Sequence, residues 1–363
     1  MVVAVVVVLA LVGVRVHQSS ATTSTTSSTS TTTTSVPGTA VVAAQPGWRV
    51  ASRSARGVMV DYRMVVVGGV AFRVIRLRAR TTVLRWHVGS TDPPGSSAVP
   101  ADAGARVDWP REGAAGVVAL FNGGFKASAH AGGAVVDGVV LNPLVRGDMT
   151  IAINRWGHWE MGVWGAANFP TPNFGPISLR QNLAPLVQHG AVTAAATSAN
   201  AFVWGAPLNN NPLTARTGLG VDRHGNLIYV ATMKGVLANV VGRALVGAGA
   251  IAGMQLDINP FWPVEGASFA PVHNVGGTYP VQIPFMMHHP NIYDDGWTRD
   301  FFVAVAEPSS WGCSYRSVGV RAGAGVQPQP LRLVGHGCST TVQHPTTTTS
   351  TTTTTSSTTT TSP

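Results

Sequence analysis

Three polar side chains stand where apolar runs give way to loops: Asn122 in Phe121-Asn122-Gly123-Gly124-Phe125, Arg216 in Arg216-Thr217-Gly218-Leu219-Gly220, and Asp257 in Met254-Gln255-Leu256-Asp257-Ile258-Asn259. An amide, a guanidinium and a carboxylate at strand ends are the groups from which scaffolds build sites. Asn122 offers both donor and acceptor, and Gly123 and Gly124 let a ligand approach the backbone. Lys126 adds a cation in a chain whose only other lysine is Lys234. Arg216 could grip a phosphate or carboxylate through two parallel hydrogen bonds, with Thr217 beside it. Asp257 ends an apolar strand where acid–base groups are commonly mounted. Asn259 shares its side of an extended strand, and Trp262 offers a ring face to a sugar. Each motif alone has a plainer reading: a tight turn, a surface arginine, a helix cap or buried ion pair, core packing.

Other chemistries lack support. Glycoside hydrolysis usually uses two carboxylates. The chain has 15 acidic residues, and beyond Asp257 the pool of Asp148, Glu160, Glu265, Asp294, Asp295 and Asp300 has no nominating spacing. Asp222 reads as a turn residue within Asp222-Arg223-His224-Gly225. His288 and His289 would point to opposite faces of a strand, which argues against shared ligation. No Gly-x-Ser-x-Gly, phosphate-loop or His-Glu-x-x-His motif is present. No metal ligands are assigned and no cofactor is expected, with a divalent metal left open.

The elements that must position these groups are mostly strands. Residues 58–67, 70–78 and 81–88 are β-branched and partly alternating, with a hairpin turn at Gly68-Gly69. Residues 90–116 read as loop, and 117–121 as a buried strand running into the Asn-Gly-Gly turn. Further strands are expected at 134–141, 149–154 and 158–163, with turns at Asp137-Gly138 and Trp156-Gly157. Residues 179–189 are expected to form a short helix interrupted by Pro185. Residues 217–221 and 226–232 predict a second hairpin. Apolar positions 237, 241, 244, 245 and 248 predict a helix over 236–248. A strand returns at 253–257, a Pro/Gly/aromatic loop spans 259–279, and 301–306 is a last strand. The expected fold class is α+β: a mixed, β-rich sheet system with few helices, flanked by disordered tails.

Composition sets the frame. At 45% hydrophobic and 11% charged, the body can bury a core, and 41 Gly with 24 Pro indicate many turns. Residues 19–35 and 346–362 are almost wholly Ser and Thr, too polar to offset ordering entropy. Residues 2–14 are almost all Val, Ala and Leu, short of the ~20 residues of a membrane span. They fit the apolar part of an export signal, or an N-terminal anchor. The expected organisation is an export signal or anchor at 1–17, a disordered Ser/Thr-rich linker at 18–46, the folded domain at 47–340, and a disordered tail at 341–363. Export places the protein outside the cell or on its envelope, and there Cys313 and Cys338 could pair. The net charge of +9 rests on 24 basic residues, all but two of them arginine. It suits anionic envelope polymers. No nucleic-acid-binding motif accompanies it.

Taken in order, the motifs resemble the phosphodiester glycosidase family, which includes the animal enzyme that uncovers mannose 6-phosphate and bacterial exopolysaccharide-associated proteins. The family pattern runs strand, Asn-Gly-Gly-Phe, then Arg-Thr-small-aliphatic-Gly with a hairpin, a helix, and Leu-Asp-Gly-Gly-Gly-Ser. Residues 121–125 match the first element and 216–220 the second. Residues 235–250 supply the helix, and Leu256-Asp257 begins the third. The resemblance spans roughly residues 60–306. It implies an exported hydrolase that cleaves a sugar-1-phosphodiester in cell-envelope or exopolysaccharide material, with Asp257, Arg216 and Asn122 catalytic. Gly123, Gly124, Lys126, Thr217, Asn259 and Trp262 would bind a glycan or phosphoglycan substrate. After Asp257 the family's glycines are replaced by Ile258-Asn259-Pro260-Phe261-Trp262. Pro260 has no N–H to offer a phosphate. The alternative is a non-catalytic envelope protein of the same fold that binds anionic polysaccharide.

Overall fold

The computed structural model describes residues 42–43, 47–93, 99, 103–108, 112, 116–198, 200–205, 210–258, 293 and 296–307. The chain divides after Thr39, and every described residue belongs to the second part, Ala40–Pro363. The apolar N-terminal run expected to be an export signal or anchor, both Ser/Thr tracts, Glu265, Asp294, Asp295, the two adjacent histidines, both cysteines, Asn259 and Trp262 lie outside the described residues.

In chain order the strands are β1 (Val42–Ala43), β2 (Arg49–Ser54), β3 (Gly57–Val67), β4 (Val70–Leu77), β5 (Thr82–His87), β6 (Val117–Asn122), β7 (Ala134–Val136), β8 (Val139–Asn142) and β9 (Met149–Asn154). They continue with β10 (Trp159–Val163), β11 (Pro176–Gln181), β12 (Val187–Gln188), β13 (Ala191–Val192), β14 (Thr214–Asp222) and β15 (Leu227–Val236). Helix α1 (Ala238–Ala248), β16 (Ala250–Ile258) and β17 (Phe301–Ala306) complete the described chain. Three antiparallel sheets result. Nine strands run β1-β3-β4-β15-β14-β16-β12-β13 with β2 on β3, five run β10-β9-β11-β7-β8, and three run β5-β17-β6. The fold is therefore mostly β, with one α-helix among the described residues. The expected α+β label overstates the helical share.

One face of the nine-stranded sheet packs on α1 through Val65, Phe72, Val74, Val230, Val241 and Leu245. A second cluster joins Ile75, Leu227, Tyr229 and Met254 of this sheet to Trp86 of β5, Phe121 of β6, Ile151 of β9 and Phe302 of β17. The layers are thus helix, large sheet, then the two smaller sheets. Helix α1 ends at Gly249, whose left-handed φ of 101° lets its N–H reach the carbonyls of Leu245 and Val246. Gly218 of β14 has a packing reason: a Cβ there would lie 2.7 Å from Val241 of α1.

One expected helix does not form. Residues 179–189 supply the end of β11, a loop and β12. The apolar residues there alternate with Arg180 and Asn182, and β11 is held between β9 and β7. Pro185 and the positive φ of Leu183 and His189 break any helical run. Strand β2 was not anticipated, because its sequence Arg-Val-Ala-Ser-Arg-Ser carries little apolar signal.

Candidate functional site

The three motifs converge. β14 delivers Arg216 and Thr217, and its neighbour β16 delivers Asp257, with a register shift between Arg216 and Gly218. β6 belongs to the three-stranded sheet, yet its end is tied to β16: the Asp257 N–H donates to Gly123 O at 3.0 Å. Asn122 Nδ2 donates to Thr217 Oγ1 at 3.0 Å, and that hydroxyl donates to the Asp257 carbonyl at 3.2 Å. Tyr229 of β15 donates to Asn122 Oδ1 at 2.9 Å. Asn122 and Thr217 are buried, so they act here as the clamp that brings two sheets together at Asp257.

The Gly-Gly turn is a packed joint with its donors committed inward. Gly123 N–H donates to the Asp300 carbonyl at 2.8 Å, Gly124 N–H to Asp300 Oδ2 at 3.1 Å, and Phe125 N–H to Asn182 Oδ1 at 2.8 Å. The lack of side chains is required by these neighbours: a Cβ on Gly123 would lie 2.1 Å from Asp300 Oδ2, and one on Gly124 2.7 Å from Arg180 Nη2. The expectation that this backbone lies open to a ligand is therefore replaced by a supporting role.

Arg216 is likewise turned inward. It is fully buried, with Nε on the Val236 carbonyl (2.8 Å), Nη1 on Trp204 O (2.8 Å) and Gln255 Oε1 (2.7 Å), and Nη2 on Pro212 O (2.9 Å). Four of its five N–H donors are spent on protein oxygens, and burial lowers its pKa to about 10. To grip a phosphodiester through two parallel bonds it would have to abandon at least one of these, because a guanidinium has only five donors. Its geometry is that of a brace holding the 212–216 segment, β15 and β16 together. Lys126 is exposed just beyond Phe125, next to a turn of 3-10 helix at Ala127–Ala129.

Asp257 stays accessible. Its side chain is 19% exposed, and Oδ2 lies 3.1 Å from Arg299 Nη2, whose side chain is 15% exposed. Burial raises the Asp257 pKa to about 6, with the Asp300 charge adding to the rise; Arg299, the Ile258 N–H and Arg180 oppose it. Water on the open side tempers the cost of ionising it. The same Arg299 Nη2 donates to Gly124 O at 3.3 Å, so one guanidinium nitrogen spans the end of β16 and the Gly-Gly turn.

Behind Asp257 stands a buried ion pair. Asp300 Oδ2 accepts from Arg180 Nε at 2.7 Å, from Trp86 Nε1 at 3.0 Å and from Gly124 N. Arg180 also donates to the carbonyls of Gln181 and Phe125. Nothing in the residue pattern singles out Arg180 or Arg299, since each is one arginine among many. Arg299 and Asp300 immediately precede β17: the first pairs with Asp257 and the second backs the turn. Asp148 also has a pKa raised to about 6 by burial. No described contact joins it to Asp257. Among the described residues, no three His, Cys, Asp or Glu side chains cluster as a metal site would need, and no helix is long and apolar enough to cross a membrane.

No protein-family model matches the chain, and no curated protein matches it. Solved structures similar to it include the catalytic domain of zebrafish N-acetylglucosamine-1-phosphodiester alpha-N-acetylglucosaminidase, auto-inhibited by its pro-peptide (13% identity, 71% of this chain and 87% of that one, TM-score 0.43). A hypothetical protein from Synechocystis aligns at 12% identity over 68% of this chain and 62% of that one, with a TM-score of 0.41. A Burkholderia pseudomallei K96243 protein classed as exported aligns at 12% identity over 67% and 74%, with a TM-score of 0.35.

Proposed function

We propose that the protein is an exported hydrolase of sugar-1-phosphodiesters in cell-envelope or exopolysaccharide material, with Asp257 as its reacting carboxylate. The observation that carries this reading is Asp257 itself: a partly open carboxyl with a pKa of about 6, beside an arginine, where three separate motifs meet. That value suits an acid–base group working near neutral pH. The substrate class also removes an objection. A phosphomonoester leaving group has a second pKa of ~6, so it departs without a second carboxylic acid to protonate it. A single carboxylate then suffices: ionised Asp257 takes a proton from water as the water oxygen bonds to the anomeric carbon. The bond from that carbon to the phosphate oxygen breaks, and the phosphate leaves with the electron pair. Asn122, Thr217 and Arg216 hold the carboxylate's strand in place, and Lys126 supplies a peripheral cation. Asn259 and Trp262 remain candidates for the sugar.

The test is release of free sugar from a sugar-1-phosphodiester, against a simple alkyl glycoside of the same sugar. Wild type is expected to cleave the phosphodiester alone, and Asp257→Ala neither. Equal rates for wild type and Asp257→Ala would end the assignment. A second reading, a non-catalytic binder of anionic polysaccharide, is favoured by one observation: the turn's N–H groups at Gly123, Gly124 and Phe125 all face protein oxygens. Glycan binding that Asp257→Asn leaves unchanged, without turnover by wild type, would decide for it.

A further inference from the structure

The phosphodiester reading of Asp257 leaves a question of which cation meets the substrate's negative charge, and Arg216 is buried and committed. Arg299 has the opposite character. Its Nη2 is held by Asp257 Oδ2 at 3.1 Å and Gly124 O at 3.3 Å, which fixes the plane of the guanidinium. Its Nη1 has no hydrogen bond among the described residues, and its Nε is buried without one. The side chain is 15% exposed and lies beside Asp257, whose own side chain is 19% exposed. Position is fixed by the fold: Arg299 precedes β17, bridges to Asp92, and is followed by Asp300, which is locked to Arg180, Trp86 and Gly124. An arginine with one nitrogen anchored and donors to spare is preorganised for an oxyanion such as phosphate, because the anchoring bonds have already reduced its rotamer freedom.

Resting on the phosphodiester reading, we propose that Arg299 is the anion-binding residue of this site, donating from Nη1 to a phosphoryl oxygen of the substrate while Nη2 stays on Asp257. One guanidinium then holds both the reacting carboxylate and the leaving phosphate. It aligns the bond to be broken with the base, and its charge offsets the repulsion between carboxylate and phosphate.

Binding of inorganic phosphate tests this without relying on turnover. Titrations by calorimetry would compare wild type, Arg299→Gln, Arg299→Lys and Asp257→Asn. Arg299→Gln is expected to weaken phosphate binding about 10- to 100-fold, the worth of a charge-assisted hydrogen bond. Asp257→Asn is expected to bind phosphate at least as well as wild type, since it removes a repelling charge and leaves Arg299 in place. In turnover, Arg299→Gln is expected to raise KM and to move the Asp257 limb of the pH profile upward, which loss of packing alone would not do. If Arg299→Gln fails to fold, Arg299→Lys carries the test: it keeps a point charge but not the shared plane, and should weaken phosphate binding several-fold. Phosphate binding by wild type that neither Arg299 variant alters, or no binding by wild type, overturns the proposal. Arg299-dependent phosphate binding by a protein that cleaves no phosphodiester would leave the anion site standing and remove the glycosidase reading instead.

Discussion

Replacing Asp300 with asparagine tests the frame behind the site. The side chain is 1% exposed and keeps nearly its shape in Asp300→Asn, so cavity and packing terms stay small. What changes is charge. Oδ2 now accepts from Arg180 Nε at 2.7 Å, Trp86 Nε1 at 3.0 Å and Gly124 N at 3.1 Å. An asparagine amide oxygen in that place still accepts these bonds, but Arg180, itself 2% exposed, loses its counter-charge, and the NH2 group takes the place of the oxygen 3.4 Å from Arg180 Nη2. Arg180 would be left with neutral acceptors alone, the carbonyls of Gln181 and Phe125 among them. Removing one member of a buried pair costs about 3–5 kcal/mol, and the two retained carbonyls place this case toward the lower end, ~3 kcal/mol. Urea unfolding followed by tryptophan fluorescence measures it, and a cycle with Arg180→Met isolates the pair term. The single variants should each be clearly destabilised, and the double variant less so than their sum. Stability of Asp300→Asn within ~0.5 kcal/mol of wild type, or full additivity in the cycle, would refute a buried Arg180–Asp300 pair as the support of the turn.

Three further outcomes follow from the same structure. Asp148 has its pKa raised to about 6 by burial, so the folded state binds its proton more tightly than the unfolded state, and stability falls as pH rises from about 4 to 6. Asp148→Asn should therefore stabilise the protein by about 1–2 kcal/mol at pH 7.5 after discounting for partial exposure, with the gain vanishing near pH 4; no gain at pH 7.5 would contradict it. His87 is fully buried, with Nδ1 2.8 Å from Gly104 O and Nε2 2.8 Å from Glu112 Oε1, so the protonated ring can donate from both nitrogens. Burial alone would lower its pKa, but Glu112 and Gly104 O outweigh burial and Arg85 to raise it above the ordinary value. This stabilisation is complete below pH ~6.5 and is lost as pH rises through the folded-state pKa; an NMR titration midpoint below 6.5 would refute it. Arg216→Lys cannot satisfy four acceptors with three donors, so it should lower unfolding stability by about 2–3 kcal/mol while leaving phosphate binding per folded molecule unchanged; a selective loss of phosphate binding would return Arg216 to the substrate.

The parts of this account legible in the sequence are those governed by local pattern. The β3–β4 hairpin at Gly68-Gly69, α1 from its apolar spacing and Asp257 at the end of a buried strand all follow from neighbours within a few residues. What escaped depends on distant partners. Gly123 and Gly124 look like a cradle for a ligand; only the approach of Asp300, 176 residues on, and of Arg180 from β11 shows that the space is filled. Arg216 looked like a ligand-binding arginine, because nothing local reveals that Trp204, Pro212, Val236 and Gln255 surround it. Arg180 and Asn182 read as polar positions of a short helix, whereas sheet pairing buries them and turns them toward the 123–125 turn. Motif order suggests convergence of Asn122, Arg216 and Asp257; the bond from Asp257 N–H to Gly123 O brings the first and third motifs together, while the Arg216 guanidinium turns inward to Trp204, Pro212, Val236 and Gln255.

The central claim, that Asp257 is the reacting carboxylate, meets its most direct test in the pH dependence of sugar release from a sugar-1-phosphodiester. Base action by a carboxyl with a pKa of about 6 predicts that kcat/KM rises tenfold per pH unit below that point and levels above it. It also predicts that Asp257→Asn, folded and still able to bind phosphate, loses this activity. Turnover by Asp257→Asn at the wild-type rate, or a wild-type profile flat from pH 4.5 to 7.5, would contradict it.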